Sequence, residues 1–327
     1  MVNNGVTIKK DRLTKICLTA YEAYEAEQGI FKNSRKYLPQ WNIPKELEYS
    51  PQRTEISNSS QATKYLWTLA LLENRTLSRI NMRNGLATWE DKDSRWIFEP
   101  VKVVERGYKE VSQLISEKLQ YTLNNFPLKY LQNAKKLIEL YDGDPRKIIE
   151  GKSVEQAKKE LMEFRGVGTG ISNLFIMYLL DRKIASPLDI ENCLLKIDVH
   201  KSRIPLNTEG IVIEDDEVRE GKLVTPLENI YREICDEKNL NAPTLDSAFW
   251  IIGSNGCAKK DYNVCKALCP LEEMCVADTP LNRESSRFVV YERDSTGKRV
   301  RVDTRKNNFG QQYFSFFSEF ETKESIN

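Results

Sequence analysis

The stretch LMEFRGVGTGIS, residues 161–172, decides the fold because it joins two helical patterns through a glycine-rich turn. Upstream, Ser153 followed by Gln156 forms a capping-box pattern ahead of apolar residues at helical spacing. Downstream, residues 171–180 form an apolar helical run. The segment therefore predicts a tight hairpin between an amphipathic helix and an apolar one.

The glycines of this hairpin, Gly166, Gly168 and Gly170, allow a backbone to approach a phosphate closely. With Thr169 they lie where the second helix begins and offers unpaired N–H groups and the positive end of its dipole. The pattern predicts a phosphate contact that positions a duplex without reading its sequence. Considered alone, these residues fit an ordinary tight turn between helices equally well.

The composition indicates a folded protein with a well-buried core. The 327 residues are 40% hydrophobic and 30% charged, which suits one or two globular domains. No apolar run approaches the roughly 20 residues of a membrane span, and the N-terminal residues lack an apolar signal core. Because the net charge is only +1, any nucleic-acid binding would depend on a local basic face. We expect a cytoplasmic monomer without a membrane partner, associated with the nucleoid if its source is prokaryotic.

Periodicity and helix-breaking residues predict a mainly α-helical body. Residues 61–80 lack Gly and Pro and carry apolar residues at helical spacing, so we expect a buried helix there, broken by Gly85. A second helical pattern runs through residues 131–141 and stops at Asp142-Gly143. Near the C-terminus, residues 287–306 read as two β-rich runs around a turn.

A second motif, KIDVHKSRI at residues 196–204, contains a candidate catalytic carboxylate, Asp198. A carboxylate near C1′ of an extruded nucleotide can stabilise the positive charge that develops as the base departs, or can orient a water. Asp198 also suits the N-cap of a helix that begins at Val199, and the two roles are compatible. His200, the only histidine of the chain, is expected to be a structural hydrogen-bonding residue rather than a catalytic base.

Four of the seven cysteines lie in one short stretch near the C-terminus: Cys257, Cys265, Cys269 and Cys275. Four thiolates in one compact loop suit a 4Fe-4S cluster or a tetrahedral zinc ion. The paired Cys-x2-Cys knuckles of zinc ribbons are missing, which favours iron–sulfur and leaves zinc as the alternative. The other three cysteines, at positions 17, 193 and 235, are predicted to be buried apolar residues.

Together, the hairpin, the Asp198 segment and the cysteine loop resemble the helix-hairpin-helix DNA glycosylase superfamily, in its iron–sulfur branch typified by endonuclease III. The likeness covers residues 60–277. Within it, FRGVGTGISNLF at 164–175 matches the family hairpin, and LDSAFWIIGSNGC at 245–257 is similar to the helix that enters the cluster. The resemblance implies a mainly α, two-domain fold that binds double-stranded DNA in a cleft between its domains and flips a base into it.

The resemblance also implies a division of the chain into four segments. We expect a helical extension over residues 1–60, which could pack with the cluster domain, and a six-helix-barrel-like domain with the hairpin over 61–182. The segment 183–277 would contain the catalytic Asp and the iron–sulfur loop. A β-hairpin-like tail over 278–327 would complete the chain.

Three departures from the family pattern affect the predicted chemistry. The hairpin lysine with which bifunctional members attack the sugar is replaced by Gly170, so a monofunctional enzyme is predicted, with Lys196 or Lys201 as candidates for a relocated lysine. For both lysines, a phosphate contact or an exposed position is the favoured role. The family spacing from the hairpin points to Asp189, but the flanking residues match better at Asp198, which we favour. Two of the cysteine intervals are each one residue longer than is usual.

The resemblance places a wedge residue, which fills the gap left by the flipped base, in LLENRTLSR at residues 71–79. Asn74 and Arg75 are the candidates, and Glu73 is a weaker candidate for protonating the leaving base. The sequence thus predicts a DNA N-glycosylase that releases a damaged, mismatched or modified base and leaves an abasic site. The alternatives are a bifunctional glycosylase and lyase, and a catalytically silent module that binds DNA or senses lesions.

Overall fold

The computed structural model describes residues 2–3, 6–47, 59–73, 78–121, 125–213, 220–257, 262–275, 290–293 and 299–302. Within them the chain is mainly α-helical, which confirms the predicted fold class at that level. Numbered along the chain, the helices are α1 Lys10–Glu25, α2 Ser59–Leu72, α3 Ser78–Glu90, α4 Pro100–Leu114, α5 Phe126–Tyr141, α6 Val154–Met162, α7 Thr169–Asp181, α8 Val199–Asn207, α9 Glu220–Lys238, α10 Ala242–Ile251 and α11 Tyr262–Leu268. The strands are β1 Val2–Asn3, β2 Val6–Ile8, β3 Ile211–Ile213, β4 Val290–Arg293 and β5 Arg299–Val302.

The chain divides into two compact units. The continuous unit is Arg35–Lys196, and the discontinuous unit combines Met1–Ser34 with Ile197–Asn327. The predicted boundaries at 60/61 and 182/183 do not coincide with these limits. None of the described helices is long and apolar enough to cross a membrane.

Helices α2 to α7 build the continuous unit around an aromatic core. Helix α2 packs against α3 and α7, α4 packs against α5, and α6 packs against α7. The Tyr65 ring lies 5.6 Å from that of Trp89, and the Trp89 ring lies 5.3 Å from that of Phe98. These three side chains are almost fully buried, so the aromatic residues of α2, of α3 and of the segment before α4 join the helices in one core.

Gly85 lies inside α3, so the prediction that it breaks a helix was wrong. The helix expected over 61–80 ends instead at Leu72, and α3 starts at Ser78. A Cβ atom at position 85 would lie 2.8 Å from Cδ2 of Leu69 and 3.1 Å from the Tyr65 hydroxyl, both on α2. Glycine is therefore needed for the close approach of α2 and α3, which outweighs its low helix propensity.

We predict that Gly85→Val lowers the free energy of unfolding by about 1–3 kcal/mol, because the added methyl groups would force α2 and α3 apart. Ala87→Val, at an exposed position two residues further along α3, is the matched control. It should lower the free energy of unfolding by only about 0.5 kcal/mol or less. Urea unfolding followed by circular dichroism measures both. Equal losses for the two variants would contradict the close packing at Gly85.

The discontinuous unit joins the N-terminal residues to the C-terminal half of the chain. Strand β2 pairs antiparallel with β1 and with β3, where Ile8 is opposite Ile211. Helix α1 packs against α9 and α10, and α8 also packs against α10. On α1, the Arg12 guanidinium donates to the carbonyl of Thr208 and, over 3.0 Å, to that of Met274. Helix α1 is therefore hydrogen-bonded to the end of α8 and to the last turn of the cysteine loop.

Strands β4 and β5 pair antiparallel, with Val290 opposite Val302 and Arg293 opposite Arg299. They coincide with the two β-rich runs predicted in residues 287–306, which confirms that prediction for the eight described residues. Both strands contain residues that favour strands, with Val290 and Tyr291 in β4 and with Val300 and Val302 in β5.

Candidate functional site

The predicted hairpin lies between α6 and α7. The Ser153 hydroxyl accepts a hydrogen bond from the amide of Gln156 over 3.2 Å, so the predicted cap at the start of α6 is confirmed. Helix α6 ends at Met162 and α7 begins at Thr169, with Gly168 as its N-cap residue. The glycine-rich turn thus occupies the place that the sequence assigned to it.

Two contacts position the hairpin on the body of the continuous unit. The Phe164 side chain is 2% exposed and its ring lies 5.2 Å from that of Trp67 on α2. The Asn133 side chain of α5 donates to the carbonyl of Arg165 over 3.0 Å and accepts from its amide over 2.7 Å. The Asn133 side-chain amide thus bonds to both backbone polar groups of Arg165, as a neighbouring strand would. These bonds fix the turn and leave its outer face exposed.

The outer face of the hairpin presents backbone rather than side chains. Gly166, Gly168, Thr169 and Gly170 are all exposed, and a Cβ added to Gly168 would meet nothing within 4 Å. Gly166 has φ +83°, a left-handed conformation that favours glycine. The amide of Ser172 is the first to bond within α7, to the carbonyl of Gly168, so the preceding amides have no partner inside the helix. This arrangement suits an anionic oxygen atom.

Lysine side chains flank the hairpin on both sides. The Cδ atom of Lys129 lies 3.8 Å from the position that a Cβ at Gly166 would take. The Cε atom of Lys196 lies 4.0 Å from the corresponding position at Gly170. The stems of both lysines therefore reach the exposed glycines, and their ammonium groups add positive charge beside the unpaired amides.

In the discontinuous unit, Asp198 caps α8. Its Oδ1 atom accepts hydrogen bonds from the amides of His200 over 3.0 Å and Lys201 over 3.1 Å, and its carbonyl accepts from the amide of Ser202. The carboxylate is only partly buried. The predicted cap is therefore confirmed, and it fixes the carboxylate at the start of a helix, where the dipole favours negative charge.

His200 is packed rather than presented to solvent. Burial lowers the pKa of its imidazole, with the Asp198 carboxylate acting in the opposite direction. The ring lies 6.2 Å from that of Trp250, and a Cβ at Gly253 would lie 2.6 Å from the His200 carbonyl oxygen. Glycine at 253 thus allows the π-helical turn Ile252–Gly256 to contact α8 directly. These contacts agree with a structural role for His200.

Arg203 lies near both Asp198 and Cys257, the first cysteine of the loop, which the sequence did not indicate. Burial lowers the pKa of its guanidinium, and the charges of Cys257 and Asp198 oppose that shift. Its Nη1 atom is buried and has no hydrogen-bond partner within the described residues. The only signal in the sequence was its place five residues after Asp198, on the first turns of the predicted helix. One cation of α8 therefore lies near both the candidate carboxylate and the first cysteine.

Lys201 differs from its prediction as a DNA-contacting or exposed lysine. Its side chain is 1% exposed, and its ammonium lies 2.6 Å from Oδ1 of Asp246 on α10, which is 10% exposed. A lysine engaged in a buried ion pair does not present its charge to a phosphate. The sequence pattern missed this because the partner is 45 residues away in the chain. Lys201 thus joins α8 to α10 and is not available as a relocated lyase nucleophile.

We predict that Lys201→Met lowers the free energy of unfolding by about 3–5 kcal/mol, because the Asp246 carboxylate loses its buried cation. The double variant Lys201→Met/Asp246→Leu removes both charges and should recover most of that loss. Urea unfolding of the two variants and the wild type measures the difference. A double variant that is less stable than Lys201→Met would contradict the pairing.

The carboxylates of Asp189 and Glu73 each accept hydrogen bonds that connect neighbouring elements of the continuous unit. The Asp189 carboxylate accepts from the amide of Val154 over 2.6 Å, at the first residue of α6, and from the Asn192 side chain over 3.0 Å. The Glu73 carboxylate accepts from the side chains of Ser78 and Asn81, which joins the end of α2 to the start of α3. Asn74 and Arg75, the wedge candidates, lie outside the described residues.

The four cysteines of the loop are neighbours in the discontinuous unit. Burial, together with the charges of Cys257, Cys265 and Cys275, raises the pKa of the Cys269 thiol to about 12. Cys265 and Cys269 lie one helical turn apart, since the amide of Cys269 bonds to the carbonyl of Cys265 over 2.9 Å. None of the chain's seven cysteines forms a disulfide. The raised pKa keeps the Cys269 side chain a neutral thiol at neutral pH, and a bound cationic centre would favour its thiolate form.

Four cysteine side chains make up the donor set that was predicted to bind a metal centre. Within the described residues, no group of three or more His, Cys, Asp or Glu side chains is already arranged to hold a metal ion. The cysteines at 17, 193 and 235 are buried, as predicted, and lie apart from the loop in sequence. The loop cysteines are therefore the residues that would bind such a centre.

Comparison of the sequence with models of known protein families gives no match, and no curated protein matches it significantly.

Proposed function

We propose that this protein is a DNA N-glycosylase that hydrolyses the bond between a base and its deoxyribose. The observation that best supports the proposal is the environment of Asp198. Two backbone amides orient its partly exposed carboxylate at the start of α8, and Arg203 lies nearby. A fixed carboxylate of this kind can stabilise a cationic sugar without reorganising during the reaction.

The proposed reaction breaks the C1′–N bond and leaves its electron pair on the departing base. The Asp198 carboxylate stabilises the positive charge on C1′ and the ring oxygen in the transition state. The oxygen of a water molecule then forms the new bond to C1′, and one of its protons is transferred to the base. The products are a free base and an abasic site with its phosphodiester backbone intact.

The hairpin supplies the DNA contact in this proposal. The first amides of α7, which have no partner inside the helix, would bind phosphate oxygens of double-stranded DNA, with Lys129 and Lys196 beside them. Such contacts carry no sequence information, so the choice of base would come from the pocket that receives the flipped nucleotide.

The cysteine loop is proposed to hold a 4Fe-4S cluster, with a zinc ion as the alternative. Cys257, Cys265, Cys269 and Cys275 would be the ligands, and the bound centre would supply structural rigidity rather than a redox step. Arg203 would link this loop to α8, so that the position of Asp198 depends on the order of the loop.

Release of free base from a panel of duplexes tests the proposal. The panel contains oxidised, deaminated, alkylated, mismatched and hypermodified bases, and mass spectrometry detects the released base. We predict that the wild type releases at least one of them and that Asp198→Asn slows the release by about 100-fold or more, because the amide lacks the negative charge.

Asp189→Asn is the matched control, since it removes the same charge from a carboxylate that caps α6. It should leave base release close to the wild-type rate. A dead Asp189→Asn with an active Asp198→Asn would reverse the assignment. Tight DNA binding without release of any base would instead indicate a silent binding or lesion-sensing module.

A second candidate function, a bifunctional glycosylase and lyase, is favoured by the position of Lys196. Its Cε atom lies 4.0 Å from the place of a Cβ at Gly170, so its side chain reaches the position from which family members project their hairpin lysine. Its deprotonated amine could attack C1′ in place of water as the base departs with the electrons of the C1′–N bond, and opening of the sugar ring would then give a Schiff base that leads to strand cleavage.

Borohydride trapping separates the two candidates. If Lys196 is a nucleophile, reduction during the reaction should yield a covalent protein–DNA adduct that Lys196→Arg abolishes. The monofunctional proposal predicts no adduct, and strand breakage only after added alkali. An adduct that persists in Lys196→Arg would show that another amine is responsible.

A further inference from the structure

The continuous unit contains a second group of cations, stacked on two aromatic rings. The centre of the Trp41 ring lies 4.2 Å from the guanidinium carbon of Arg182 and 4.8 Å from that of Arg35. The guanidinium of Arg79 lies 4.8 Å from the Tyr37 ring, and the Lys36 ammonium lies 5.2 Å from it. We call this group the cation–aromatic patch; its members are Arg35, Lys36, Tyr37, Trp41, Arg79 and Arg182.

The carboxylate of Asp181 organises the patch. Its Oδ2 atom accepts from the indole N–H of Trp41 over 2.6 Å and from the Gln40 side chain over 2.9 Å, which fixes the Trp41 ring beside the guanidinium groups of Arg35 and Arg182. Burial raises the pKa of the Asp181 carboxyl, and the charges of Arg182 and Arg35 oppose that shift. The patch thus holds four cations against two aromatic rings, and Lys36 is exposed.

We propose that the cation–aromatic patch binds the phosphodiester backbone of nucleic acid, as a second contact on the same duplex that the hairpin engages. This inference rests on the proposed DNA function. A guanidinium has five N–H donors, so one that is stacked on a ring and engaged by another group can still donate to a phosphate, and the ring reduces the entropy that the side chain loses on binding. Arg79 is also close in sequence to Asn74 and Arg75, the predicted wedge candidates.

Helix α7 sets the distance between the two contacts. The hairpin is at its first residue, Thr169, and the patch is at its end, where Asp181 and Arg182 lie. Thirteen residues span about 20 Å at 1.5 Å per residue. That length corresponds to at most about six base pairs of duplex, at roughly 3.4 Å per base pair. The patch would therefore extend the footprint by about half a helical turn beyond the hairpin.

The salt dependence of DNA binding tests the patch without requiring catalysis. We would compare the wild type with Arg35→Gln/Lys36→Gln/Arg79→Gln on an undamaged duplex of about 20 base pairs, by fluorescence anisotropy. Each lost phosphate contact should reduce the slope of log K against log salt by about 0.9, with affinity falling roughly tenfold or more at low salt. The control Lys92→Gln/Lys102→Gln/Lys109→Gln removes three exposed lysines and the same charge.

Each outcome decides the inference. A reduced slope in the patch variant alone supports it, whereas equal slopes for patch and control variants overturn it. Loss of binding to polyglutamate with an unchanged DNA slope would assign the patch to an acidic protein and also overturn it. A wild type that does not bind DNA would overturn the proposed function as well. If thermal unfolding shows the triple variant to be misfolded, the single variant Lys36→Gln replaces it, with an expected slope change of about 0.9.

Discussion

The start of α8 is the constraint on which the candidate chemistry depends. Asp198 caps the helix through two amides, and the carbonyl of His200 lies so close to position 253 that only glycine fits there. The buried pair of Lys201 and Asp246 secures the same helix to α10. Three successive interactions thus fix the orientation of one partly exposed carboxylate. Pre-organisation of this kind is what stabilisation of a short-lived cationic sugar requires.

The features that could be predicted from sequence are those governed by neighbouring residues. The cap of Ser153 on α6, the glycine turn before α7 and the cap of Asp198 on α8 all depend on residues at most three positions apart. Local hydrogen-bonding patterns of this kind leave a direct trace in the sequence. For the same reason, the pairing of β4 with β5 was foreseen from two β-rich runs and a turn.

The features that could not be predicted depend on partners distant in the chain. Gly85 was misread because its role is to admit Leu69 and Tyr65 of another helix. Lys201 was expected at the surface because nothing near it in sequence shows its pairing with Asp246. Arg203 was not singled out because Cys257, which lies near it, is distant in the chain. The cation–aromatic patch combines residues from three separate segments. Tertiary contacts decided each of these cases.

In the proposed function, a metal-bound cysteine loop supports α8 and, through it, the Asp198 carboxylate. The measurement that tests this dependence most directly is the iron, sulfide and zinc content of protein purified without oxygen. We predict about four iron and four sulfide per chain, as a 4Fe-4S cluster requires. Zinc at about one per chain would correct the identity of the centre, whereas fully folded protein without any metal would contradict the claim that the loop depends on one.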